Sequence, residues 1–170
     1  AAVTGLFSRQ KELAIGQARE CQIAADNGMT PLLELRLARD EFIFLTAPGD
    51  AETVTESLQT SPDSCVHTVD ISSGLAGAGI IGPQAPFLLS MITELDVSDE
   101  AFLDLRCVQS RFTDVTGLLV RHDLGPAPAY QLYFPREYGE YIWEAITQAA
   151  RYIGGGPVGT EAIWRMQDAC

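Results

Sequence analysis

Gly77-Ala78-Gly79-Ile80-Ile81-Gly82 has the G-x-G-x-x-G spacing of a dinucleotide-binding loop. Such a loop works by aiming a helix N-terminus at a pyrophosphate, so the helix must begin near the second glycine. Pro83 would then fall inside that helix, lacking a donor and clashing with the turn before it. The spacing reads as chance within a glycine-rich strand, and no nicotinamide cofactor is expected. Cysteines stand at 21, 65, 107 and 170 with no C-x-x-C, and only His67 lies at ligand spacing from one of them. Neither a zinc site nor a disulfide framework is expected, and the thiols read as buried or incidental ones in a reducing cytoplasm. His67 and His122 each flank a predicted strand with no serine or cysteine nucleophile motif, which argues against a catalytic triad. Asp70 and Ser72 read as turn formers whose side chains bond nearby backbone.

The elements that position these residues follow from periodicity. Leu13 to Gly16 reads as a helix end or turn, residues 18–25 as a strand, and Asp26-Asn27-Gly28 as a turn. Leu33, Leu35 and Leu37 alternate with Glu34 and Arg36, which predicts a half-buried strand over 32–37. A polar turn at 38–41 joins it to a strand over 42–46, making a hairpin. Pro48-Gly49-Asp50 then starts a helix to about Leu58. Val66, Val69 and Ile71 form a β-rich run, followed by a second apolar run at Gly79 to Ile81. Pro83 is expected to open a helix of about three turns, since proline is favoured at the first helical position. Two β-rich runs, 107–112 and 115–121, predict another hairpin, and 130–134 a further strand. Pro135 opens the clearest helix, with Ile142, Ala145, Ile146 and Ala149 at helical spacing until Gly154-Gly155-Gly156 stops it. Tyr138 and Tyr141 in this helix read as core and rim packing rather than a ligand platform.

A chain of 170 residues suits one domain or two small lobes. It has no apolar run near the ~20 residues of a membrane span. The first ten residues lack a basic region followed by an apolar core, so no secretion signal is read there. Net charge is −12 with only 11 basic residues and no basic cluster, which argues against nucleic acid as a partner.

The central segment, with D-[IV]-S at Asp70 to Ser72 and [IL]-x-G-P-x-[AS] at Ile80 to Ala85, resembles the folate-binding domain of the glycine-cleavage T-protein (aminomethyltransferase) superfamily. That group includes related domains of sarcosine and dimethylglycine dehydrogenases and the gamma subunit of heterotetrameric sarcosine oxidase. Leu13, Gly16, Asp26, Gly28, Leu35-Arg36-Leu37, Asp40, Phe42 and Leu45 fall in step with the family's N-terminal run. Gly159 and Arg165 match its later P-x-G…R helix, although Gln167 replaces an acidic residue there. The gamma-type elements R-C-x-Q-[ST] and Y-x-L-x-x-P-R-x-[FY] recur at 106–110 and 130–138.

The resemblance implies an α+β fold of antiparallel sheets with packed helices, including a ferredoxin-like split βαβ layer. Residues 1–65 would form a hairpin-plus-helix lobe, shortened relative to the family, and 66–170 a ferredoxin-like lobe. Tetrahydrofolate is the implied ligand and the cytoplasm the implied compartment, with no metal, no nucleic acid and no membrane. The family's catalytic aspartate falls where Thr30 and Pro31 stand, so no catalytic residue is carried over. The family's acidic pterin contact falls at Gln131, and the residues carried over as folate-binding are Thr30, Tyr130, Gln131 and Arg165. The alternative implied by the resemblance is a non-catalytic accessory chain that contacts a larger flavin-enzyme subunit or forms a homodimer.

Overall fold

The computed structural model describes residues 12–25, 28–59, 67–159 and 161–163. The turn expected at Asp26 and Asn27, the start of the run at Val66, and Arg165 lie outside them. The chain divides into two compact units, Ala1–Ser72 and Ser73–Cys170.

In the first unit, β1 (Gln17–Ala25), β2 (Gly28–Arg36) and β3 (Phe42–Thr46) form an antiparallel sheet in that order. Directly opposite residues share a face, so Arg19 meets Glu34, Cys21 meets Leu32 and Ile23 meets Thr30 on one side. That side receives α1 (Ala51–Gln59), whose Val54 and Leu58 are one turn apart and close a core with Cys21, Ile23 and Leu32. The expected hairpin of β2 and β3 is present, and β2 begins earlier than its alternating leucines indicate. Pro31 is tolerated inside it because β3 pairs only with Leu32 to Arg36. At Pro31 the strand has no β3 neighbour to receive an N–H, so the missing donor costs nothing there.

Glu34 is buried at 2% exposure, and Arg19 holds it through Nε and Nη2. Burial pushes the neighbouring Cys21 thiol up to about 11, with the Glu34 charge adding to the effect and Arg19 opposing it. The unfolded chain therefore loses this proton first as pH rises, from its ordinary value of 9.0. The associated stability is complete below that pH and falls as pH climbs toward 11. Urea midpoints taken at pH 8 and 10.5 should diverge less in Cys21→Ala than in the parent.

In the second unit, β4 (Leu75–Ile81), α2 (Ala85–Ser90), β5 (Cys107–Phe112), β6 (Val115–Arg121), β7 (Ala129–Pro135) and α3 (Gly139–Tyr152) follow one another. The sheet order is β4-β7-β6-β5, every neighbouring pair antiparallel, so the connection through α2 leads from one edge strand to the other. Leu89, Leu119, Leu132 and Ile142 sit at the centre of a core that joins one sheet face to both helices. These are the antiparallel sheets with packed helices of the expected α+β class.

Three local expectations are corrected. Residues 67–71 are not a strand, and Val69 and Ile71 are exposed. Asp70 Oδ1 instead accepts from the Ser72 N–H at 2.8 Å and Oγ at 2.6 Å, turning the chain into the 3₁₀ turn Ser72–Gly74. The strand is β4, which contains Gly77 and Gly79. The helix after it is short and begins at Ala85 rather than Pro83, because Pro86 also lacks a donor and fits only in the first turn. Pro135 ends β7, and a 3₁₀ turn (Arg136–Tyr138) intervenes before α3. The helix stops as expected: Gly154 takes φ 77°, the Gly155 N–H reaches Ala150 O at 2.8 Å and the Gly154 N–H reaches Arg151 O at 3.2 Å.

Candidate functional site

β7 carries two of the candidate residues, and the pleat of the strand sends them to opposite faces. Tyr130 pairs with Ile80 and Arg121 on the helix side of the sheet, where it is 0% exposed. Gln131 pairs with Gly79 and Val120 on the outer side and is half-buried. Thr30 lies in the first unit, half-buried opposite Ile23 on the α1 side of its sheet. Pro31, its neighbour, faces the other way with Leu33 and Leu35. One strand face therefore does not bring Tyr130 and Gln131 together.

On the helix side, Tyr130 belongs to a polar cluster that the sequence alone does not single out. Arg121, 7% exposed at the end of β6, donates through Nε and Nη2 to the two carboxylate oxygens of Asp123 at 2.9 and 3.0 Å. Its Nη1 donates to Asp99 Oδ1 at 2.8 Å and to the Phe102 carbonyl at 2.7 Å. The Tyr130 ring lies under the guanidinium at 5.5 Å and stacks with Phe102. Asp123 Oδ1 also accepts from the Ala129 N–H at 3.1 Å, tying β7 to the arm that precedes it. The hydrogen bonds to Asp123 hold the Arg121 pKa above its ordinary value, outweighing burial. The only sequence signal for this cluster is an arginine closing an otherwise apolar strand, followed at once by His122-Asp123.

The Tyr130 hydroxyl is buried without a hydrogen-bond partner among the described residues, and burial raises its pKa. A buried unsatisfied hydroxyl costs about 1–3 kcal/mol, so Tyr130→Phe is expected to stabilise the protein by about 1 kcal/mol. The ring and its contact with Arg121 are kept in the phenylalanine variant. An unchanged or lower urea midpoint would contradict this.

On the outer side, the Tyr133 hydroxyl donates to Gln131 Oε1 across one pleat of β7. Elsewhere, Trp143, Glu144, Thr147, Gln148 and Arg151 line a hollow on the exposed face of α3. All five come from one helix, so among the described residues this hollow does not converge groups from several elements.

The model of the family described as the GCVT N-terminal domain matches residues 2–168. Sarcosine oxidase subunit alpha of Corynebacterium sp. (strain P-1) is 30% identical over 166 residues, covering 89% of this chain and 17% of that protein. Aminomethyltransferase of Clostridium botulinum (strain 657 / Type Ba4) is 28% identical over 141 residues, 77% of this chain and 35% of that one. The chain thus spans a minor part of these relatives. Heterotetrameric sarcosine oxidase from Corynebacterium sp. U-96 shares the fold with a TM-score of 0.67 at 18% identity, covering 93% of this chain and 75% of that one. Glycine cleavage system aminomethyltransferase T from Bartonella henselae does so with a TM-score of 0.60 at 16% identity, covering 79% of this chain and 36% of that one.

Proposed function

The chain belongs to the GCVT N-terminal domain family, and from that premise we propose that it is a tetrahydrofolate-binding domain of glycine or sarcosine one-carbon metabolism that lacks the family's catalytic acid. The observation that carries this reading is on β2. The resemblance puts the family's catalytic aspartate at Thr30 and Pro31, and neither side chain exchanges a proton near neutral pH. Glu34 is the one acid on that strand, and it is buried and held by Arg19. It is therefore unavailable as a substitute base. Gln131 takes the ligand contact on the outer face of its own sheet, and Thr30 and Arg165 are carried as candidate contacts on the resemblance alone. Tyr130 serves β7 from behind, through its packing with Arg121 and Phe102. Calorimetric titration with 5-formyltetrahydrofolate tests the reading. Micromolar binding that weakens in Gln131→Ala and Arg165→Ala is expected, and no heat at near-millimolar ligand would sink it.

A second reading, a non-catalytic accessory chain of a flavin enzyme, is favoured by a different observation. Phe87 and Met91 on α2, and Tyr138, Tyr141 and Trp143 at α3, are large apolar side chains left exposed. The chain also covers three quarters of a chain in a heterotetrameric sarcosine oxidase. Absence of folate binding together with stoichiometric co-purification of a flavin-bearing chain is the result this reading expects.

A further inference from the structure

β4 forms one edge of the four-stranded sheet, and among the described residues it pairs with β7 alone. One bond shows which of its backbone groups are open. The Gly82 N–H donates to the Pro128 carbonyl at 2.9 Å, so Gly82 turns its backbone toward β7. Successive residues of an antiparallel strand alternate in that direction. Ala76, Ala78 and Ile80 therefore bond to β7, while Leu75, Gly77, Gly79 and Ile81 hold their N–H and C=O groups outward. Two other open edges of this chain are guarded. β5, at the opposite edge of the same sheet, carries the exposed Arg111, and Pro31 sits in β2 where β3 no longer pairs with it. β4 has no charge and no proline from Leu75 to Ile81, and Gly77 and Gly79 leave its backbone exposed. An unguarded edge of this kind is a template for another strand, held through main-chain hydrogen bonds.

The order of residues in β4 points to which strand that is. Turned about Ala78, the strand repeats its own character: Gly77 falls opposite Gly79, Ala76 opposite Ile80 and Leu75 opposite Ile81. In that antiparallel register outward residues meet outward residues, so every open N–H and C=O of one copy finds a counterpart on the other. Apolar side chains then meet apolar ones on both faces. Charge is complementary in the same direction. Arg136 and Glu137 follow Pro135 beside the Leu75 end, whereas the Ile81 end continues into the uncharged Gly82-Pro83-Gln84. Antiparallel pairing sets each charged end against an uncharged one. It keeps the two Glu137 carboxylates about 20 Å apart, beyond the ~8 Å screening length at physiological salt.

We infer that β4 is a docking edge for a second copy of this chain, the two strands pairing antiparallel about Ala78 and joining their sheets into one. A two-fold contact occupies both edges at once, so association stops at the dimer. The pairing needs neither folate nor a flavin-bearing chain. Sedimentation equilibrium of the ligand-free protein over a micromolar concentration series is the test, and a reversible monomer–dimer equilibrium is expected. Gly79→Pro removes an outward N–H from each copy while sparing the bonds to β7. Gly79→Lys puts a charge on the edge, at a position where an added Cβ meets nothing within 4 Å. Each substitution acts twice in a symmetric contact, so each should raise the dimer dissociation constant at least about tenfold. Gln109→Lys, which adds the same charge at an exposed position of β5, should leave it unchanged. Circular dichroism confirms that each variant is folded. A parent that stays monomeric throughout, growth beyond the dimer, a dimer that persists in either folded Gly79 variant, or an equal loss in Gln109→Lys overturns the inference.

Discussion

Arg121→Met is expected to lower the unfolding free energy by about 3 kcal/mol, at the lower end of the range for breaking a buried ion pair. The arginine closes β6 and is the hub on which Asp123, Asp99 and the Phe102 carbonyl converge. Methionine keeps the length and the packing against Tyr130 but donates nothing. The Phe102 carbonyl is left without that donor, and the Asp123 carboxylate keeps its bond from the Ala129 N–H. Asp123 is 19% exposed, so water compensates it in part, which places the estimate low in the range. Asp99, at 68% exposure, contributes far less, and Asp99→Asn should cost under about 1 kcal/mol. For a chain of this size the arginine variant should melt about 6–12 °C lower. A loss equal to that of Asp99→Asn would mean that the cluster is ornamental to stability.

How much of this was legible in the sequence depends on the range of the interaction that decides each feature. β3, β5 and β6 agree with the sequence reading because alternation and turn residues act within a few positions. The hairpin of β5 and β6 is marked by Thr113-Asp114, and Thr113 adopts φ 53°. α2 starts later than Pro83 alone suggests because the second proline, Pro86, also lacks a donor and must sit in its first turn. Residues 67–71 carry β-branched side chains, yet the Asp70 carboxylate captures Ser72 locally and bends the chain first. The candidate site was less accessible to such reasoning. Tyr130 and Gln131 are neighbours in sequence, and only the register of β7 between β4 and β6 shows that they face opposite sides. The Arg121 cluster and the Tyr133–Gln131 bond depend on side chains meeting across strands and arms. No spacing rule in a single chain carries that information.

Gly117→Ala is the second large effect expected, about 2–3 kcal/mol of destabilisation, the upper part of the range for overpacking. β6 is a central strand, and the added Cβ would lie 2.9 Å from the backbone oxygen of Tyr133. It would also lie 3.1 Å from Leu132 Cδ1 and 3.2 Å from Phe112 Cδ2. A side-chain tip can swing away, but a carbonyl held in a sheet ladder moves only if β6 and β7 part. The strand that moves is the one carrying Gln131 and Tyr133, so the proposed ligand binding should weaken along with stability. Gly79→Ala separates the two effects. Its Cβ meets nothing within 4 Å and its backbone needs no positive φ, so stability should change by no more than about 0.5 kcal/mol. The new methyl group fills the open space beside Gln131, and ligand binding should fall at least about tenfold, the equivalent of 1.4 kcal/mol. Stable Gly79→Ala protein that binds 5-formyltetrahydrofolate as well as the parent would place the ligand away from this face. Weak binding by a stable variant would locate it beside Gln131, and would assign the loss in Gly117→Ala to strand displacement rather than to contact.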